Sequence, residues 1–402
     1  MNLKQLFKQY GIFVALAVLA GINIYKSSSL YSHPDYPYDA RNVYIAGKLW
    51  LKGSNPYNDS LIKSEWNTYV ATHRTWSKKP PGFPDCGMIY PFWSIPELIV
   101  FYILPWELGA RELIWLLSWL ALLGIAYFAY KSFHSKLSFL TILVLLLAFK
   151  SGAVALVLGQ PLLISACALL GCWYFYTKDK HTIAGILLGI AALKVTLCIP
   201  FILFFLIHKN WKLLMASSIL PVLSALVFYA VSKNWYLTEM LSNMGQQMQI
   251  NYAGPTLTAV NTNLTELGII GNYFWGINYA KASVFGLTFW AIGTLLLVMA
   301  YLRKVITSHH FLTLLIVLNF LSSYHLIYDC ILLIFVIPVF AGIPSGRRRW
   351  LGFGILAPLF LPINGLFKSV DWIQFHLPIT LLALFLYLIY DCYTIHRANT
   401  VA

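Results

Sequence analysis

Ile183-Ala-Gly-Ile-Leu-Leu-Gly-Ile-Ala-Ala-Leu-Lys194-Val-Thr-Leu-Cys-Ile-Pro200-Phe-Ile-Leu-Phe-Phe-Leu-Ile207 is a 25-residue run, apolar except for one lysine near its middle. A run of 18 or more apolar residues is long enough to enter a bilayer. A charge at its centre costs roughly 2.5 to 3.5 kcal/mol on insertion scales, so it marks a functional site unless the side chain snorkels to an interface. Basic pairs flank the run, Lys178/Lys180 before it and Lys209/Lys212 after it. Cytoplasmic loops collect Lys and Arg. If both pairs are cytoplasmic, the run turns back on the outer side between Lys194 and Pro200. Its two arms, about 18 Å each at 1.5 Å per residue, then require a water-accessible outer cavity, where broken helices are tolerated.

The rest of the chain has the same character. Of 402 residues, 59% are hydrophobic and 10% charged, where soluble domains carry roughly 25% charged residues. Mean hydropathy is +0.70, which excludes a water-soluble globule. The net charge of +14 sits in short gaps between apolar runs: Lys131/Lys136, Arg303/Lys304, Arg347 to Arg349 and Arg397. These read as orientation signals facing anionic lipid, not as a nucleic-acid surface. Further apolar runs lie near 9–25, 111–130, 137–158, 161–176, 213–231, 284–302, 310–323, 329–343, 350–366 and 377–391. The expectation is an all-α polytopic membrane protein with about twelve transmembrane helices and cytoplasmic termini. Residues 1–402 form one integral membrane domain with two larger extracytoplasmic loops, 26–110 and 232–283. Residues 90–105, with Pro91, Pro96 and Glu97, are too short for a span and read as an interfacial or re-entrant segment. A rival layout makes them a span and moves the lysines at 131–136 and 178–180 outside. The six cysteines show no metal-ligand spacing and read as small core residues.

The first polar loop contains Asp35-Tyr-Pro-Tyr-Asp39-Ala-Arg41-Asn-Val43-Tyr44, then Trp50-Leu-Lys-Gly53-Ser-Asn55-Pro56-Tyr57. From Asp39 onward Val43, Ala46/Gly47 and Trp50 share one helical face, and Gly53 with Asn55-Pro56 ends the helix. Asp39 thus lies at the start of an interfacial helix, as an N-cap, a reactive carboxylate or both. Arg41 can pair with it, reach a phosphate or snorkel. Gln160, at a helix start, can bind a sugar or act as a cap. Tyr44, Tyr57, Tyr90, Trp93 and Trp106 read mainly as an interfacial aromatic belt.

Asp39-x-x-x-Val43-Tyr44 followed by Gly53-x-Asn55-Pro56-Tyr57 resembles the opening of glycosyltransferase family 87, membrane enzymes of the GT-C fold class that use polyprenyl-phosphate sugars. The order continues with Tyr90-Pro91, Gly159-Gln160, Ala184-Gly185 through Gly189 to Lys194, and Trp211-Lys212. Two islands follow: Asn261-Thr-Asn263-Leu264, and His325-x-x-Tyr328-Asp329. Phe92 stands where the family has a second Pro, Pro161-Leu162 stands where an Asn is usual, and Thr262-Asn263 departs from an Asn-Gln-Ser element.

The resemblance implies transfer of one sugar, often mannose, to a lipid-linked or envelope glycan acceptor, with inversion. Asp39 is then the general base. Arg41, Tyr44, Tyr90, Gln160, Lys194, Asn261, His325, Tyr328 and Asp329 are candidate substrate-binding residues, with Lys194 and His325 at the donor phosphate. A phosphate leaves as a stable anion, so cationic stabilisation is needed and a general acid is not. No cofactor or metal is implied. The expected place is the plasma membrane with the site on its extracytoplasmic side. Two rivals stand beside this reading: a transporter or flippase of lipid-linked sugars, and a polysaccharide ligase or polymerase with a pyrophosphate-linked donor.

Overall fold

The computed structural model describes residues 3–33, 37–72, 88–133, 137–252, 264–343, 346–361 and 375–401. Among them the regular structure is all helical, apart from one isolated bridge between Leu264 and Leu326. Among the described residues six helical runs are long and apolar enough to cross a membrane. A seventh candidate is a bent pair: α7 (Phe139–Ala148) and α8 (Lys150–Leu158) meet at 68°. A bend at that depth frees carbonyls that lipid cannot satisfy. Asn23 on α1 (Leu3–Tyr31) supplies the donors, its Nδ2 bonding Leu147 O and Ala148 O at 3.0 Å each.

The first polar region folds as α2 (Tyr38–Leu51) and α3 (Asp59–Thr72), then two helices of four and five residues, α4 (Ser94–Glu97) and α5 (Ile99–Ile103). Neither short helix approaches the length of a span. Gly53 adopts φ +71° just beyond α2 and ends it, as its position suggests. A π-helical turn, Glu107–Leu113, leads into α6 (Ile114–Ser132). Tyr31 closes this corner by donating its hydroxyl to Arg111 O at 2.5 Å.

The apolar run around Lys194 folds back on itself. It forms α10 (His181–Ala191), a 3-10 turn at Ala192–Lys194 and α11 (Val195–Ile207). A straight helix of that length would hold its ends about 40 Å apart. Instead Asn210 Nδ2 meets His181 Nδ1 at 3.0 Å, and the Tyr176 ring packs against both His181 and His208, with ring centres 5.9 and 6.4 Å away. Lys194, at φ −128° and ψ 81°, makes the reversal. Although the run is long enough to span, it is a hairpin whose tip lies some 17 to 20 Å from its base. α10 then lies alongside α12 (Trp211–Ser232), parallel to it. A Cβ on Gly185 would overlap Leu213 O, and one on Gly189 would lie 2.7 Å from Ser217 O. Small residues four apart let the two backbones touch, the usual means of helix association where lipid removes the hydrophobic drive.

The remaining helices are α9 (Leu162–Tyr176), α13 (Leu237–Tyr252), α14 (Gly268–Trp275), α15 (Tyr279–Leu302), α16 (Ser308–Ser322), a 3-10 helix Ile327–Phe335, α17 (Val336–Gly342), α18 (Arg347–Leu356) and α19 (His376–Val401). The basic gaps gather at one end. His208 Nε2 lies 2.7 Å from the Tyr301 hydroxyl, and the Phe133 and His309 rings are 5.5 Å apart. Arg348 bonds Asp391 at 2.5 Å, and His310 approaches the same carboxylate at 3.7 Å. The hairpin tip points the opposite way. The five described cysteines are free, four of them buried; Cys86 lies outside the described residues.

Candidate active site

At the hairpin tip a cavity of about 310 Å³ opens between α2, the α8–α9 turn, Lys194 and the start of the 3-10 helix at Ile327. Asp39, Tyr90, Gln160, Lys194, Tyr328 and Asp329 all line it. Asp39 sits in the first turn of α2 but does not cap it. The cap position is Pro37, which has no side-chain bond to offer. The Asp39 carboxylate instead accepts a hydrogen bond from Gln160 Nε2, 121 residues away. Gly159 makes that contact possible: it is left-handed at φ +63°, and a Cβ there would stand 2.9 Å from Pro37 Cβ and 3.0 Å from Ala40 Cβ. Burial pushes the Asp39 carboxyl up to about 6, against the opposing pull of the Gln160 hydrogen bond and the Lys194 charge.

Lys194 donates to Asp329 Oδ1 and lies 4.5 Å from the centre of the Tyr328 ring. The other Asp329 oxygen accepts from the Leu326 amide at 3.3 Å and contacts His325 Nδ1 at 3.0 Å. Asn319 Nδ2 spends one hydrogen on Thr196 O and turns the other to His325 Nε2, each at 3.0 Å. That pattern assigns His325 as the neutral Nδ1–H tautomer, because Nε2 must accept. Asp329 is thereby held by three donors, which leaves two of the three Lys194 N–H groups for the cavity. Thr265, from the second polar region, locks the wall: its amide bonds His325 O at 3.1 Å and its hydroxyl bonds Phe320 O at 2.8 Å. Tyr90 is placed by its neighbours too. Tyr57 donates its hydroxyl to Tyr90 O at 2.9 Å, and Asn243 Nδ2 bonds Tyr57 O at 2.9 Å. Burial, with the Asp39 and Asp329 charges nearby, raises the Tyr90 hydroxyl well above its ordinary range, so it stays a donor.

A scan against protein-family models matches glycosyltransferase family 87 over residues 89–326, more than half of the chain. The chain belongs to glycosyltransferase family 87. It is therefore a membrane glycosyltransferase, with a sugar donor and an acceptor as substrates. A search of curated proteins finds no match. The matched stretch contains Tyr90, Gln160, Lys194 and His325, while Asp39 precedes it and Tyr328 and Asp329 follow it.

Several residues expected at the family 87 site lie elsewhere. Arg41 is 1% exposed and packs 5.5 Å from the Trp106 ring centre and 5.9 Å from that of Trp66. Tyr44 is equally buried and donates to Leu104 O at 3.1 Å. The reason is helical phase: at about 100° per residue, Arg41 and Tyr44 lie some 160° and 140° around α2 from Asp39. Asn42 and Val43 share its face and do line the cavity. His325 is fully buried behind Asp329 and does not reach the cavity. Asn261 lies outside the described residues, as does Asp35. The aromatic belt is not one: Tyr44, Tyr57 and Trp106 are core, and Trp93 donates its indole N–H to Ala192 O at 3.1 Å. Sequence reasoning missed Thr196 and Asn42 as polar wall residues, together with Met88, Met244 and Met248. Asn42 was recoverable, being three residues from Asp39. The methionines were not, since they come from distant segments. No cluster of three or more His, Cys, Asp or Glu suited to a metal ion occurs among the described residues.

Proposed function

We propose that this enzyme moves one hexose from a polyprenyl-phosphate donor to the hydroxyl of a lipid-linked or envelope glycan, on the extracytoplasmic side of the plasma membrane. The observation that carries the reading is that Asp39 and Lys194, 155 residues apart in sequence, open into one cavity. Asp39 takes the acceptor proton as the oxygen attacks the anomeric carbon. Lys194, with two N–H groups turned to the cavity and the Tyr328 ring beside it, stabilises the phosphate as it departs. Attack and departure on opposite faces of the sugar invert the anomeric centre.

The charge of the cavity wall favours a monophosphate donor. Among the described residues it carries one cation, Lys194, and two carboxylates, Asp39 and Asp329. A pyrophosphate-linked donor, as a ligase or polymerase uses, brings more negative charge to a lysine already shared with Asp329. The apolar remainder of the wall, with Val154, Leu158, Leu193 and Val195, suits substrates that arrive with lipid attached. The basic ends opposite the cavity match a cytoplasmic face.

Incubating purified protein in detergent with labelled polyprenyl-phosphate hexoses tests the reading, since a flippase has no gradient or second leaflet there. Transfer by the wild-type enzyme and its loss in Asp39→Asn are expected. The loss should reach at least about a hundredfold, the lower end of a general base's contribution. An Asp39→Asn enzyme keeping more than about a tenth of the turnover removes Asp39 from the chemistry.

A further inference from the structure

We propose that Gln160 is a positioning residue for the base: its Nε2 ties down Asp39 Oδ2 and leaves Oδ1 as the atom that takes the acceptor proton. The inference rests on the reading of Asp39 as base, and it replaces the expectation that Gln160 binds sugar. Gln160 is 3% exposed, and its Oε1 has no hydrogen-bond partner among the described residues. Turning the amide over would set that oxygen against a carboxylate oxygen, so the N–H orientation is the one that attracts. Gly159 fixes the backbone from which the side chain reaches, through its left-handed conformation and its contact with Pro37 and Ala40. Among the described residues, Gln160 is the hydrogen-bond donor to Asp39.

Among the described residues, the other charged or titratable groups that line the cavity with this carboxylate come from four places, one of them Tyr324 in the link between α16 and the 3-10 helix. Lys194 comes from the hairpin tip and favours the anion. Tyr90 stands in the segment before α4. Tyr328 and Asp329 come from the 3-10 helix, with His325 behind Asp329. Burial opposes ionisation of Asp39, and the Gln160 bond and the Lys194 charge offset it. In the reaction the acceptor O–H bond breaks and its proton goes to Oδ1. The oxygen bonds the anomeric carbon, and the bond from that carbon to the phosphate oxygen breaks with its electron pair on the phosphate. With Oδ2 clamped, Oδ1 has one place to be when the hydroxyl arrives.

The test is the pH profile of kcat/KM, whose acid limb reports the base in the free enzyme. It is measured with a polyprenyl-phosphate hexose in detergent for wild type, Gln160→Leu, Gln160→Glu and Asp39→Asn. Losing a donor to the anion raises a carboxyl's pKa. The Gln160→Leu limb is therefore expected to move up by about one pH unit, with the rate recovering at alkaline pH to within about tenfold of wild type. Gln160→Glu places a second carboxyl against Oδ2, a proton-sharing pair, and is expected to move the limb further. It is nearly isosteric and carries the test if the leucine variant does not fold. A limb that stays in place while rates fall evenly at all pH values makes Gln160 a mere tether between α2 and the α8–α9 turn, and overturns the proposal. If Asp39→Asn is inactive and the limb does not move, this inference fails alone. If Asp39→Asn stays active, the reading beneath it fails as well.

Discussion

Lys194→Met combined with Asp329→Asn separates the lysine's two duties. In the wild type Lys194 donates to Asp329 Oδ1, while the His325 imidazole and the Leu326 amide hold Oδ2. Asp329 is 3% exposed at its side chain and Lys194 16%. Removing the lysine alone leaves a buried carboxylate with two of its three donors and without its ammonium partner, a loss of about 3 to 5 kcal/mol. Adding Asp329→Asn removes the stranded charge and should restore most of that stability. Donor binding should behave differently. A hydrogen bond from a charged group contributes roughly 1.5 to 3 kcal/mol, so both the single and the double variant should bind donor about 10- to 150-fold more weakly. Thermal unfolding in detergent reads the first quantity, and the donor KM of labelled-sugar transfer reads the second. If the double variant regains wild-type donor KM along with its stability, Lys194 only neutralises Asp329 and has no part in holding phosphate.

Further outcomes follow from the same contacts. Activity should fall about tenfold per pH unit once the pH drops below about 6, where Asp39 gains its proton; a flat kcat/KM down to pH 5 contradicts this. Asp39 pays for its reactivity in stability. Because folding raises its pKa, the folded state is penalised in full above about pH 6; the penalty shrinks as pH falls from about 6 to the ordinary carboxyl value near 4 and is gone below it. Asp39→Asn should therefore be more stable than wild type at pH 7 by about 1 to 3 kcal/mol, read as a higher unfolding temperature, with the difference closing at low pH. Gly159→Ala puts a Cβ against Pro37 and forces φ +63° on a side chain, costing about 1 to 3 kcal/mol; kcat should drop more than donor KM rises. Gly185→Val should separate α10 from α12 and lower the yield of folded protein, read by size-exclusion profile, without a selective effect on donor KM.

Much of the site was legible because membranes make charges conspicuous. Lys194 stands out in its apolar run, and the matching basic pairs on either side demand the reversal that the hairpin supplies. The start and stop of α2 were legible from Asp39, Gly53 and Asn55-Pro56. Which face of α2 matters was less so: Arg41 and Tyr44 were drawn in by closeness in sequence, although helical phase sets them opposite Asp39. His325 shows a different limit. Its spacing from Asp329 predicts a contact, and the contact exists, but the Asn319 bond that turns the ring away from the cavity comes from α16 and follows no local pattern. Hydropathy also does not give a crossing number directly, because α8, α9, α10 and α11 end at the cavity, short of a full span.

The ion pair at the hairpin tip constrains how the chain can be made. Asp329 follows Lys194 by 135 residues, so at about 5 to 20 residues per second the ammonium spends roughly 7 to 27 seconds without its counter-charge. Neither arm can be released into lipid alone with that cation at its end. Both must wait beside the insertion machinery, or beside α9 and α12, until the last third of the polypeptide emerges. A ribosome that stops before Asp329 leaves behind a half-built protein carrying a visible mark of incompleteness, an orphan charge at the hairpin tip.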